Sequence, residues 1–360
     1  MPSRLHKMSE LSCTTQVFDK MPNSDEEVML YRIVGGGITA DIISFGGTIC
    51  RLLVPDRNGK LGDVILGQDT VERYIAPGNF AAAVIGRVAN RISKAQFEID
   101  GATYKLVPNF GEDICHGGIG NYARYNFSGV PFNNGYQAGV VLTSTDRGEG
   151  GFPGTVELEV TYALDNDGNL SLHYVARPDH DTPINLTNHA FFNLGGHESG
   201  SVGDHIMQLN SEYITPNDSR GMTSGEILDI KGTDFDYTSP KPLQVGFDST
   251  NPLFTQFGGF DMNYCISGHG MRKGGYVTDP KSGRTMEFYT DLPGVQVFTP
   301  SKVADGAKGK DNTPYVKLGA FCLETQNFPD AINISHFPNP IVKAGEVYDT
   351  TTIYRFPKAK

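Results

Sequence analysis

Four side chains able to move protons stand in glycine-rich or apolar surroundings: His116, His189, Asp261 and Glu324, each more than sixty positions from the next. Glu324 is the most telling. It interrupts Phe321-Cys322-Leu323-Glu324-Thr325-Gln326, where a carboxylate is costly to bury unless it has a partner or a task. His189 lies in Asn185-Leu186-Thr187-Asn188-His189-Ala190-Phe191-Phe192-Asn193. Each polar group of that run, left unpaired in an interior, would cost about 1–3 kcal/mol, so a core hydrogen-bond network or a ligand must satisfy them. His116 precedes Gly117-Gly118, a pair that lets backbone approach a ligand, although taken singly such a histidine reads as structural. Asp261 follows Gly258-Gly259-Phe260, where an Asx turn is the ordinary role.

Two further clusters supply donors. Gly86-Arg87-Val88-Ala89-Asn90-Arg91-Ile92 can present guanidinium and amide groups to hydroxyl oxygens, with solvated surface arginines as the plainer reading. Gln296 alternates with Phe298 in Gly294–Thr299, as on a half-exposed strand. Two histidines and two carboxylates could in principle hold a metal, but no local ligand spacing exists and no cysteine joins them. Acid–base chemistry is the simpler reading. Gly35-Gly36-Gly37 superficially fits a dinucleotide loop, but Asp41-Ile42-Ile43-Ser44-Phe45 after it reads as a strand, not the opening of a helix. A P-loop, a G-x-S-x-G elbow and an H-E-x-x-H pair are all missing, so no cofactor is expected.

Only a fold that brings distant strands together can assemble such scattered groups. Val156, Leu158, Val160, Tyr162 and Leu164 alternate with mostly polar neighbours, and after Asp165-Asn166-Asp167-Gly168-Asn169 the alternation resumes at Leu170, Leu172, Tyr174 and Ala176. That pattern predicts a hairpin. Phe97–Leu106 around Asp100-Gly101, and Tyr276–Tyr289 around Asp279–Gly283, predict two more. No stretch of a dozen residues carries a helical apolar stripe free of Gly and Pro. Short strands and glycine-rich turns from end to end predict an all-β antiparallel sandwich. A single domain over 11–360 is expected, with residues 1–10 flexible.

The formal charge of -11 and pI near 5.3 argue against nucleic acid, which would need a concentrated basic patch. No apolar run approaches the roughly 18 residues of a membrane span, and Met1–Lys7 lacks a secretory apolar region. A cytoplasmic protein is expected. Cys13, Cys50, Cys115, Cys265 and Cys322 form an odd, scattered set, expected to be buried free thiols.

Taken together, Gly86–Ile92, His116–Gly118, Gly151-Phe152-Pro153-Gly154, Leu186–Leu194, Phe260-Asp261 and Leu323–Asn327 resemble the aldose 1-epimerase (galactose mutarotase) family, in its order and over about Thr39–Tyr354. The resemblance implies the galactose mutarotase-like supersandwich fold and anomer exchange of free aldoses such as galactose and glucose. It implies Glu324 as catalytic base, His189 as catalytic acid and His116 as a second active-site histidine. Asn90, Arg91, Asp261 and Gln296 match its sugar-binding positions. It requires no cofactor, and a monomer or weak homodimer is expected. With no tryptophan in the chain, any ring stacking on the sugar must be Phe or Tyr. A hexose-phosphate epimerase should show more Arg and Lys than Arg87 and Arg91, a glycoside hydrolase could use Asp261 with Glu324, and a sugar-binding protein would not need both His189 and Glu324.

Overall fold

The computed structural model describes residues 10–76, 80–302 and 307–359. The N-terminal stretch expected to be flexible lies, apart from Glu10, outside the described residues. Alternating apolar residues and short polar turns give three principal antiparallel sheets. The first is a meander of Ser12–Lys20, Glu27–Gly35, Ile38–Ile43, Thr48–Pro55 and Leu61–Asp63. Gly36 and Gly37, at φ 58° and 81°, form its second turn, the left-handed geometry that a two-residue hairpin loop requires. The glycine run is therefore a hairpin, not a nucleotide loop.

The second sheet has nine strands. Val156–Asp165 pairs with Asn169–Pro178, Ala102–Lys105 pairs with Gln96–Ile99 in a separate ribbon, and Arg272–Thr278 pairs with Thr285–Thr290. All three expected hairpins are present. Tyr348–Arg355 lies between Asn169–Pro178 and Thr285–Thr290, so the C-terminal strand stitches the two halves of the sheet. Helices among the described residues reach only four or five residues, and none is long and apolar enough to cross a membrane.

The third sheet carries Asp261, Gln296 and Glu324. It orders Leu228–Asp229, Ser211–Thr215, Asp261–Ile266, Gly294–Phe298 and Cys322–Gln326. Successive side chains on a strand point to opposite faces. Met262, Tyr264, Val295, Val297 and Leu323 join the main core, while Tyr354 donates its hydroxyl hydrogen to Leu323 O at 3.0 Å and Thr352 hydrogen-bonds Thr325. These contacts seat the sheet on the C-terminal strand. The opposite face receives Asp261, Gln296, Phe298 and Glu324. Register places Asn263 beside Gln296 and Gln296 beside Glu324.

Two expectations need correction. Cys50 and Cys322 are buried thiols, but Cys13, Cys115 and Cys265 are partly exposed. Arg87 is neither a solvated surface residue nor a cleft residue. It is 1% exposed, donates from Nε to Asp146 Oδ2 at 2.7 Å, and bonds Pro153 O, Gly154 O and Thr182 Oγ1. The Gly151–Gly154 turn therefore exists to cradle a buried guanidinium. Removing one partner of a buried pair leaves the other charge uncompensated, so Arg87→Met is expected to destabilise the fold by about 3–5 kcal/mol. Denaturant unfolding reads this directly, and a loss below about 1 kcal/mol would contradict the assignment.

Candidate active site

Three chain segments converge on the polar face of the third sheet. Arg91-Ile92 pairs with Ile114-Cys115, which sets Asn90 against His116. The backbone bond is reciprocal in effect: His116 N–H donates to Asn90 O at 2.8 Å, and Asn90 N–H donates to His116 Nδ1 at 3.3 Å. Both residues hold positive φ, 63° at Asn90 and 53° at His116, an uncommon state for residues other than glycine that clusters at functional sites. A side chain at Gly117 would collide with the Gly86 carbonyl, so this approach depends on glycine. Thr187-Asn188 pairs with Val84-Ile85, and the His189 backbone is fastened on both sides, to Ala82 N and Ala83 O.

The result is a cleft of about 690 Å³ whose lining includes Asn90, Arg91, His116, His189, Asp261, Gln296 and Glu324. Every residue expected at the site from sequence is there. His189 Nε2 lies 3.6 Å from Glu324 Oε1, and the rings of His116 and His189 meet edge-on at 5.2 Å. Asp261 opens a strand instead of occupying a turn, and Gln296 is buried, not half-exposed, with Asn90, Asp261 and Gln326 hydrogen-bonded to its amide.

An amide network holds the floor. Arg91 Nη2 donates to Asp261 Oδ2 at 2.8 Å, and Gln296 Nε2 donates to Asp261 Oδ1 at 2.6 Å. Asn90 Nδ2 bridges Gln296 Oε1 and Gln326 Oε1 at 3.0 and 3.3 Å, and Gln326 Nε2 continues to Asn263 Oδ1 at 3.0 Å. Of the cleft-lining groups, Asn90 Oδ1, Arg91 Nε, Asn121 Oδ1 and Glu324 Oε2 are buried without a hydrogen-bond partner among the described residues. Sequence reasoning missed most of the walls. Phe191 and Phe298 fell inside quoted motifs, but Phe80, Phe110 and Phe257 carried no signal, since isolated phenylalanines are ordinary. Arg124 and Lys302 also line the cleft. Arg124 is committed to Tyr74 O and Ala76 O.

Electrostatics pushes the acid–base groups in opposite directions. Burial, reinforced by Asp261 and opposed by Arg91, raises the Glu324 carboxyl well above its ordinary 4.5. Burial lowers His189 to about 4, against the pull of its own backbone carbonyl and Asp261. Burial, then His189, then Arg91 push His116 well below 6.5. Opposed shifts of neighbouring groups are how an acid and a base are separated within one site.

Ligand atoms of His116, His189 and Glu324 lie within 4.8 Å of one another, a histidine–carboxylate set that zinc can use. His116 does not suit it. Because its Nδ1 accepts Asn90 N–H, the neutral ring carries its proton on Nε2. A metal-bound imidazole instead needs a bare nitrogen at the metal and an outward-donating N–H behind. A separate cavity of about 440 Å³ near Arg284 and His205 holds none of the expected residues.

The fold is an antiparallel supersandwich whose cleft floor holds two buried carboxylates, Asp261 and Glu324, beside two buried imidazoles, His116 and His189. The chain belongs to the aldose 1-epimerase family, whose profile matches residues 29–355. It is 39% identical to galactose mutarotase of Bos taurus over 350 residues, 97% of this chain and 100% of that protein. A solved aldose epimerase homologue from C. elegans superimposes with a TM-score of 0.84 at 27% identity, over 92% of this chain and 100% of that one. The galactose 1-epimerase of Lactobacillus acidophilus shares the fold, with a TM-score of 0.85 at 22% identity over 98% of this chain and 100% of that one.

The raised carboxyl has a thermodynamic consequence. Folded Glu324 keeps a proton that the unfolded chain releases above pH 4.5, so this group subtracts stability as pH rises above that value. Glu324→Gln removes the titration. The variant is expected to melt at higher temperature than wild type at neutral pH, with the gain vanishing by about pH 4. A variant no more stable than wild type at neutral pH would contradict the direction of the shift.

Proposed function

We propose that this chain is an aldose 1-epimerase that interconverts the α and β anomers of free aldoses such as galactose and glucose. The observation that carries the reading is the 3.6 Å approach of His189 Nε2 to Glu324 Oε1 on the floor of the cleft. Anomer exchange needs two proton movements and nothing more. One proton leaves the C1 hydroxyl, another arrives at the ring oxygen, and the C1–O5 bond opens. Rotation about C1–C2 and closure on the other face reverse the transfers.

In this mechanism Glu324 takes the C1 hydroxyl proton and His189 delivers a proton to the ring oxygen. Burial leaves the resting site as carboxylic acid and neutral imidazole, so Glu324 first passes its proton to His189 across their 3.6 Å contact. The pair then reacts as carboxylate and imidazolium and leaves as carboxylic acid and neutral imidazole. Both states carry zero net charge, and burial favours the second. The site therefore stabilises the protonation state that accompanies the open aldehyde, the stage the reaction must reach. His116, with its proton held on Nε2, offers a neutral hydrogen bond to a substrate oxygen. Arg91, Asn90, Asp261 and Gln296, already fixed to one another, orient hydroxyls without reorganising. Phe80, Phe110, Phe191, Phe257 and Phe298 supply the apolar walls against which a sugar face can lie.

Neutral aldoses fit the charges better than sugar phosphates. Arg91 is neutralised by Asp261, Arg124 is held by carbonyls, and among the described residues Lys302 alone is an exposed cation of the cleft lining. A dianionic phosphate would want several. Five cysteines without a disulfide suit the reducing cytoplasm, and one unit over 11–360, acting as a monomer or weak homodimer, completes the reading.

Polarimetry of freshly dissolved α-D-galactose and α-D-glucose tests it. Wild type should accelerate the optical change for both sugars, unaffected by chelator, and Glu324→Gln should lose on the order of 10²–10⁴ in rate while sugar binding persists. His189→Asn should be equally harmful, and His116→Asn should weaken binding as well. Near-normal turnover in Glu324→Gln would remove the base. Greater loss at saturating sugar in His116→Asn would exchange the two histidines. Preference for the 6-phosphates, with KM rising steeply with salt, would assign a phosphate-specific enzyme.

A further inference from the structure

Cys322 takes no part in the two proton transfers, yet its Sγ lies 3.5 Å from Nδ1 of His189. The thiol is fully buried and shares a strand face with Glu324, two residues on. Its cross-strand neighbour is Phe298, whose ring meets His189 edge-on at 5.7 Å, while Phe191 stacks on the same imidazole at 4.9 Å. Two phenyl rings thus fix the plane of the imidazole, and sulfur fixes its rotation within that plane. With Nδ1 at the thiol, Nε2 faces Glu324.

We propose that Cys322 is a positioning residue: its sulfur accepts the Nδ1–H of His189, keeping a proton on Nδ1 in both charge states and leaving Nε2 as the exchanging nitrogen. This rests on the reading of His189 as the acid. A neutral imidazole has one N–H, and the partner of one nitrogen decides the state of the other. The thiol is a neutral partner, because burial, with Glu324 adding to it, pushes its pKa well above 9. That neutrality matters. A carboxylate behind a catalytic imidazole stabilises imidazolium and weakens it as an acid, whereas sulfur orients the ring without adding charge. The other groups that bear on the ring are Glu324 at Nε2, His116 at its edge, its own backbone carbonyl, and Asp261 with its partner Arg91. Phe80, Phe191 and Phe298 are uncharged. Cys322 is the group in contact with Nδ1 whose charge can be changed without touching the sugar-binding network.

The experiment compares kcat, KM and pH profiles of Cys322→Ala, Cys322→Ser and Cys322→Asp with those of His189→Asn, and records the imidazole nitrogen NMR shifts of His189 in the wild-type protein. Wild type should show the neutral ring protonated on Nδ1. Cys322→Ala should lose on the order of 10- to 100-fold in kcat with little change in KM, and Cys322→Ser, which keeps an acceptor, should recover most of it. Cys322→Asp should move the His189 titration upward, because an added negative charge favours imidazolium. An Nε2–H tautomer in wild type overturns the proposal even if a variant does not fold. So does a Cys322→Ala enzyme with wild-type kcat and pH profile. If His189→Asn keeps normal turnover, the acid assignment itself falls. If His189→Asn is inactive while Cys322→Ala is unimpaired, only the role of the thiol falls.

Discussion

Burying the Glu324 carboxyl on the last strand of the third sheet is the constraint around which the rest of this molecule is arranged. An ionised carboxylate removed from water is expensive unless paired, and a group without a strong partner holds its proton instead. Glu324 has no ion pair with Arg or Lys within contact distance among the described residues, although Arg91 lies near enough to oppose its shift. Arg91 gives its guanidinium to Asp261. That choice leaves Glu324 with a high proton affinity beside an imidazole with a low one, and the pair acquires the opposed tendencies that ring opening requires.

The supporting structure serves to keep this arrangement dry and still. Core residues Leu323, Val295 and Met262 fasten one face of the third sheet, so the opposite face has little freedom in where it presents Glu324, Gln296 and Asp261. The chain of amides from Asp261 through Gln296 and Asn90 to Gln326 commits most donors and acceptors before any ligand arrives. Preorganised dipoles of that kind lower the reorganisation that accompanies a proton transfer. The buried Arg87–Asp146 pair supports the same segment that supplies Asn90 and Arg91, so part of the cost of assembling the site is met well away from it.

Much of this was legible in the sequence, for identifiable reasons. Period-two alternation at Val156–Leu164 and Gly294–Phe298 revealed strands because a half-buried strand leaves that mark. Glu324 stood out because a carboxylate in an apolar run is costly. The depth of Gln296 was not legible, since alternation reports which face a residue takes and not what covers that face. Arg87 was equally opaque: its partners Asp146 and Thr182 are distant in sequence, and no local pattern distinguishes a buried guanidinium from a solvated one. Phe80 and Phe110 enter the cleft on loops, where neither period nor composition points inward. The contact between Cys322 and His189 could not be read either, because it depends on where a loop docks against a strand.

The resting site depends on a carboxylic acid that keeps its proton where ordinary glutamates have lost theirs. Infrared difference spectroscopy of wild type against Glu324→Gln, at about pH 5.5, one unit above the ordinary glutamate range, addresses it with no reference to turnover. Wild type should show a protonated carboxyl stretch that is absent from the variant and that fades only at distinctly higher pH. A difference spectrum showing ionised carboxylate at pH 5.5 would contradict that protonation state.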